Sequence, residues 1–169
     1  TVVFCTSIKH SKYVSNVFSE QGVPSGHIDG EMGEIEREQA LSDLRNGKIK
    51  VLSNCNILQE GWDCPKVSCV VICRPTKSLG LYLQMVGRSL RPAPNKVDTL
   101  IIDHSGCVYE HGFPEDDRDW KLEMTKIRMK DRKIVEPIEK QPITCMECDT
   151  VYSPTREQRA CPNCSHIPT

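Results

Sequence analysis

A parallel, doubly wound α/β sheet is the fold class this sequence predicts, with a small separate module at its C-terminal end. Two observations predict the sheet: five short apolar runs recur along residues 1–103, and helical patterns fill most of the gaps between them. Runs that are apolar at successive positions suit strands covered on both faces. Strands alternating with helices at these lengths build a parallel sheet. A third observation, two Cys-x-x-Cys pairs near the end, predicts the module.

The first run, Val2-Val3-Phe4-Cys5, opens the chain with no lead-in, as expected of a piece of a longer protein. A helix over residues 8–20 follows. Tyr13, Val14, Val17 and Phe18 form its apolar stripe, and Gly22 marks its end. His27-Ile28 is the second run. The next helix, over 34–45, stops at Asn46-Gly47. Ile49-Lys50-Val51-Leu52 and Cys69-Val70-Val71-Ile72 supply two more strands. A helix over 78–91 starts at Ser78, a good N-cap, and Leu100-Ile101-Ile102 is the last strand. Beyond Asp103 the character changes. His111-Gly112-Phe113-Pro114 reads as a turn, residues 115–119 are acidic, residues 121–140 are basic, and Pro137 and Pro142 bracket a linker. The expected division is therefore 1–110, 111–142 and 143–169.

Composition narrows the function. At 169 residues the chain has room for one ordinary domain and an appendage. A net charge of −1 gives no bulk attraction to nucleic acid, so any such partner must meet a local patch. Aromatic residues, at 5%, are too sparse for a base-stacking single-strand binder. No stretch approaches the roughly 18 apolar residues of a membrane span, and no signal segment is evident. The expectation is a soluble cytoplasmic protein without a membrane partner. Of ten cysteines, Cys5, Cys55, Cys69 and Cys73 sit in strand-like runs as small hydrophobes, and Cys64 and Cys107 lie in or beside turns. A reducing compartment fits this pattern.

The segment QMVGRSLRP, residues 84–92, carries the first functional signal. On one helix, Leu79, Leu83, Val86 and Leu90 share a narrow face, while Gln84, Arg88 and Arg91, spaced i, i+4, i+7, share another. Gly87 leaves room for close approach beside Arg88, and Pro92 ends the helix. Two fixed guanidinium forks suit a polyphosphate, because each makes paired charge-assisted bonds to phosphoryl oxygens. A solvated face with surface salt bridges accounts for the spacing equally well.

Order along the chain adds to this. Gln84-x-x-Gly87-Arg88-x-x-Arg91 resembles motif VI of superfamily 2 helicases and translocases. Residues 51–65, with the core Glu60-Gly61-Trp62-Asp63, resemble their motif V, and residues 2–7 their motif IV. Residues 27–30 and the helix bearing Glu36-Arg37 fill the place between. The resemblance covers residues 1–103 and implies the second RecA-like domain of such a motor. It implies that Arg88 and Arg91 are arginine fingers reaching the γ-phosphate held by a first RecA-like domain, with Gln84 in support. Gly61 and Asp63 would lie near the ribose. Thr6 and Ser7 are candidate phosphate contacts, with N-capping the alternative. Where the family often has a threonine in motif V this chain has Cys55, so phosphate contact falls to Ser53, Asn54, Asn56 or backbone N–H groups. No Gly-x-x-x-x-Gly-Lys-Ser/Thr segment and no Walker B-like acidic box occurs. ATP and Mg²⁺ would then be bound mainly by the other domain, and this chain alone is expected to be inactive.

Cys145-x-x-Cys148 and Cys161-x-x-Cys164, twelve residues apart, have the spacing of a four-thiolate Zn²⁺ site. A redox dithiol or two disulfides are the alternatives. The segment looks like a zinc ribbon, and so small a module would fold only with its metal. With the string 111–120, it resembles RadD-type DNA repair helicases of bacteria and similar phage proteins. The implied partners are single-stranded or branched DNA and repair or recombination proteins. A motor subunit of a restriction system, an RNA helicase and a non-catalytic recruitment module are the alternatives. Trp120 reads as a linker anchor, residues 121–133 as a DNA path or a solvated helix face, and Arg156 and Arg159 permit a phosphate contact.

Overall fold

The computed structural model describes residues 1–57, 62–118, 142–155 and 158–168. These residues form two compact units, Thr1–His111 and Gly112–Thr169. Most of the expected linker, including Trp120 and residues 121–133, lies outside the described residues, as do Gly61 and Arg156.

The first unit holds five parallel strands in the order β2-β3-β1-β4-β5. They are β1 (Val2–Phe4), β2 (Ser25–Ile28), β3 (Val51–Asn54), β4 (Cys69–Ile72) and β5 (Leu100–Asp103). Helices α1 (Ile8–Glu20), α2 (Glu34–Arg45) and α3 (Leu79–Gly87) occupy the crossovers, and a short α4 (Cys107–His111) follows β5. Sequential parallel strands need such crossovers, because a two-residue turn cannot return the chain to the same end of the sheet.

Alternation along each strand divides the core between the two faces. Val3, Cys5 and Val51 pack with Val14 and Phe18 of α1 on one side. Val2, Phe4, Leu52, Val70 and Ile72 pack with Leu41 and Leu44 of α2 and Tyr82, Met85 and Val86 of α3 on the other. The sheet is therefore covered on both faces, which is why its strands read as continuous apolar runs. At the centre, Ser53 donates to Ser11 O at 2.7 Å and accepts from Ser11 Oγ at 3.0 Å. This exchange lets α1 sit directly on a polar position of β3, since a buried hydroxyl must find a partner.

Helix ends follow their expected signals at Ser78, which caps α3 by accepting from Leu81 N, and in two further cases. Ser7 caps α1 by accepting from His10 N, and α2 runs into Asn46 before Gly47 adopts a φ of 74°. The apolar stripe of α1 is narrower than expected. Tyr13 is 66% exposed and Val17 is partly exposed, while Ser11 and Ser15 are buried in their place. Small residues there let the helix approach the sheet. A second correction concerns α3, which ends at Gly87 and not at residue 91. Its last turn tightens: Arg88 N and Ser89 N donate to Met85 O and Val86 O, three residues back, and Ser89 Oγ also takes Val86 O. Leu90 is thereby turned outward, and Tyr82 and Met85, not Leu79, Leu83 and Leu90, form the most deeply buried face beside Val86.

The second unit contains the antiparallel pair β6 (Ile143–Thr144) and β7 (Val151–Tyr152), with Ile143 opposite Tyr152. Its small core is Cys145, Tyr152 and Cys161 with Ile143 and Cys148 against them. Among the described residues no helix is long and apolar enough to cross a membrane.

Candidate nucleotide-cleft and metal sites

Topology sorts the expected site residues to two ends of the sheet. Thr6 and Ser7 follow β1, and Asn56 follows β3, so they lie at the carboxyl ends of the strands. Residues 62–67 enter β4, and residues 88–91 leave α3 after it has crossed back, so these lie at the amino ends.

At the amino ends, three cationic side chains join the two segments. Arg88 is only 8% exposed and donates through Nη1 to Trp62 O at 2.5 Å. Arg91 Nη1 pairs with Asp63 Oδ1. Lys96 Nζ donates to backbone carbonyls of both segments. The two arginines therefore differ in kind. Arg88 is packed into the domain, whereas the Arg91 side chain is 40% exposed and its partner Asp63 is 65% exposed. An ion pair this open is screened by solvent and easily exchanged for a better anion. Gln84 is exposed on α3, and a side chain added at Gly87 would meet nothing, so the space beside it is open. Since Arg91 lies beyond the helix, Gln84, Arg88 and Arg91 do not form one helical stripe; the tightened turn brings Arg88 inward and leaves Arg91 at the rim.

At the carboxyl ends, Thr6 Oγ1 lies 3.1 Å from His10 Nδ1, and Ser7 is the N-cap of α1; both are exposed. An exposed helix N-terminus with two hydroxyls is well formed to receive an anion. Asn56 is exposed in a left-handed conformation, φ 63°, and its Oδ1 accepts from Arg74 Nη1. Asn54 is different: it is fully buried and its amide donates to Val3 O at 2.9 Å, holding β3 to β1. Cys55 is buried as well.

Nearby, Asp29 is almost fully buried and accepts from Glu31 N and Met32 N, shaping the turn after β2. His27 Nδ1 is 3.8 Å from its other oxygen. Burial lowers the His27 pKa, and the Asp29 carboxylate opposes this.

The second unit gathers Cys145, Cys148, Cys161 and Cys164, whose sulfurs all lie within 4.8 Å of one another. Sγ of Cys145 and Cys164 are 3.5 Å apart, and those of Cys148 and Cys161 3.6 Å. Disulfide sulfurs would sit about 2.0 Å apart, whereas a tetrahedron of 2.3 Å Zn–S bonds has edges of about 3.8 Å. The two pairs are built alike. Asp149 N donates to Cys145 O at 3.0 Å and Ser165 N to Cys161 O at 2.9 Å. Both donors have positive φ, 56° and 62°. Each turn thus curls its two thiols toward a common centre. Two of the four thiols are shifted from the ordinary cysteine range. Cys148 is held down to about 6, chiefly by the Thr150 hydroxyl 3.3 Å away. Cys164 is pushed up to about 12; the His166 backbone lowers it, but hydrogen bonds with Cys148, burial and the other two thiols outweigh this. Four sulfurs at these separations fit a divalent cation, whose charge offsets that of the thiolates.

Lys96 was not evident as a site residue from the sequence. A lysine in the turn-forming string Pro92-Ala93-Pro94-Asn95 has the pattern of a solvated loop, and only the fold turns it inward.

Comparison with known proteins agrees with this geometry. Residues 1–93 match the model of the helicase conserved C-terminal domain. A "51.5 kDa protein" of a Lactococcus phage (isolate 7-9) is 34% identical over 167 residues, covering 98% of this chain and 35% of its own length. The "Putative ATP-dependent helicase IRC3" of Saccharomyces cerevisiae is 36% identical over 107 residues, covering 63% of this chain and 16% of its own length. The chain thus spans about a third or less of the length of these relatives. Among solved structures, S. cerevisiae Dbp5 bound to RNA and ADP BeF3 matches with a TM-score of 0.53 and 26% identity, over 60% of this chain and 27% of its own. With a family match over more than half its length, the chain belongs to the helicase conserved C-terminal domain family, and its first unit is the second RecA-like domain of a superfamily 2 helicase.

Proposed function

We propose that this chain is the C-terminal half of an ATP-dependent DNA helicase or translocase of the DNA repair type. In this reading it supplies the arginine side of the ATPase cleft and one wall of the nucleic-acid track. The observation that carries the reading is the junction of residues 62–67 with residues 88–91, which puts Arg88, Arg91 and Asp63 at one end of the sheet. Arg91, whose exposed guanidinium pairs with Asp63 among the described residues, is the group that can transfer to a γ-phosphate presented by the first RecA-like domain. Arg88 keeps the motif V-like and motif VI-like segments in register through Trp62 O. Asp63, released by Arg91, is then available to a ribose hydroxyl, and Gly61, outside the described residues, is assigned to the same ribose site. Thr6, Ser7 and Asn56, at the other end, serve as phosphate contacts on the nucleic acid, and Asn54 holds the strand that carries them. ATP and Mg²⁺ are bound mainly by the first domain, so the isolated chain hydrolyses no ATP.

In the second unit Cys145, Cys148, Cys161 and Cys164 hold a structural Zn²⁺. A closed four-thiolate site leaves no open position, so the metal supplies folding and no chemistry. We assign the boundaries to 1–110, 111–142 and 143–169. The intact protein is placed in the cytoplasm with single-stranded or branched DNA and repair proteins as partners.

The test is ATP turnover by the full-length protein containing this chain, with and without single-stranded DNA. Arg91→Ala should lower turnover by about a hundredfold or more while nucleotide still binds. Wild-type turnover in that variant would refute the arginine assignment. Dbp5, a structural neighbour, is bound to RNA, so RNA is the competing polynucleotide: stimulation by RNA and not DNA would overturn the DNA assignment and keep the motor.

A further inference from the structure

Nothing helical holds the backbone of Arg91, because α3 has already ended at Gly87. Its ion pair with Asp63 is open to solvent and fixes it weakly. Another group orders this segment. Lys96 Nζ donates to Val67 O at 2.6 Å, Arg91 O at 2.8 Å and Pro65 O at 3.1 Å, and lies closer still to Ser89 O. Two of these carbonyls belong to the segment entering β4 and two to the segment leaving α3. An ammonium has three N–H donors, so four converging carbonyls saturate it. No carboxylate among the described residues pairs with Lys96. A surface lysine would take such a partner or remain in water; among the described residues this ammonium is held by backbone carbonyls. Burial lowers its pKa accordingly. Two further bonds close the same strap: Lys96 N donates to Ala93 O at 3.2 Å, and Thr99 Oγ1 donates to Ser89 O at 2.6 Å.

We propose that Lys96 is a positioning residue for ATP hydrolysis: its ammonium clamps the backbone of residues 89–91 against residues 65–67 and so sets where the Arg91 guanidinium reaches. The inference rests on the reading that Arg91 acts on the nucleotide. Lys96 touches no nucleotide itself. Its contribution is to hold a rim residue within the tolerance that transition-state contact demands, where a shift of about 1 Å costs up to a hundredfold in rate.

The experiment uses the full-length protein, ATP and single-stranded DNA. Lys96→Met keeps the length of the side chain and removes the donors. It should lower kcat about tenfold, leave the KM for ATP and the affinity for DNA within about twofold, and preserve the far-ultraviolet circular dichroism. Lys96→Arg keeps the charge, but a planar fork cannot serve four carbonyls converging on one point, so kcat should again fall, by about threefold or more. The decisive readout is coupling. In an Arg91→Lys background, which retains residual turnover, adding Lys96→Met should change kcat by less than about twofold. Full additivity there, or wild-type kcat in Lys96→Arg, would overturn the proposal; the Lys96→Arg variant also decides the matter if Lys96→Met does not fold. Wild-type turnover in Arg91→Ala would instead refute the underlying arginine assignment, a result separable from any behaviour of the Lys96 variants.

Discussion

Stripping the metal from the second unit should unfold that unit and leave the sheet domain standing. Among the described residues, the large apolar side chains of its core are Tyr152 and Ile143, and Ile143 is partly covered. Burying two such side chains contributes roughly 1.5–3 kcal/mol each. Ordering each residue costs about 1–2 kcal/mol. Two side chains therefore offset the ordering of a handful of residues, far fewer than the unit contains. A structural zinc ion contributes about 10–16 kcal/mol at neutral pH, well above what the two side chains supply together. Four thiolates are needed, so protons compete with the metal and loading falls as pH falls. The assay is elemental analysis of freshly purified protein, followed by amide resonances of Thr144 and Val151 during chelation. One zinc per chain is expected, with collapse of those resonances after removal and the same collapse in Cys161→Ser. Zero zinc in fresh protein, or a β6–β7 hairpin unchanged after stripping, would refute the reasoning.

Three further outcomes test the first unit. Asp63→Asn should lower stability by no more than about 1 kcal/mol, because both partners of the Arg91 pair are substantially exposed; a larger loss in urea melts would mean Arg91 is not available for exchange. Ser53→Ala should cost about 1–3 kcal/mol by orphaning the Ser11 groups beneath α1, and an unchanged midpoint would contradict the buried network. His27 resists protonation in the fold because its half-buried site desolvates the charged ring, so the unfolded chain binds more protons as pH falls through the ordinary value near 6.5. Stability should therefore decline as pH falls from about 7 toward 5, and His27→Gln should flatten that part of the profile; an identical slope in the variant would remove His27 as the cause.

The residues that could be read from the chain are those whose signal is local. Continuous apolar runs mark β1, β4 and β5 because a sheet covered on both faces favours apolar residues at successive positions. Asn46-Gly47 marks the end of α2 because glycine alone takes the left-handed turn without strain. The order of the helicase-like motifs and the spacing of Cys145, Cys148, Cys161 and Cys164 are likewise linear facts. Where local patterns misled, a tertiary contact outweighed them. Periodicity carried α3 on to Arg91, but Ser89, drawn to Lys96 and Thr99, ends it one turn early and turns Leu90 to solvent. Tyr13 and Val17 have the period of a core stripe, yet the Ser11–Ser53 exchange puts serines at the contact.

Taken by itself, the amino-acid sequence determined the parallel α/β sheet, the family and the four thiols, because hydrophobic period, motif order and ligand spacing are all written along the chain. Only the tertiary structure decided which arginine is buried and which is open to solvent beside its partner, and that Asn54 braces the sheet. It alone revealed that a loop lysine holds the arginine segment in place. Those properties depend on which backbone carbonyls and carboxylates surround a charge, and residues distant in sequence provide them.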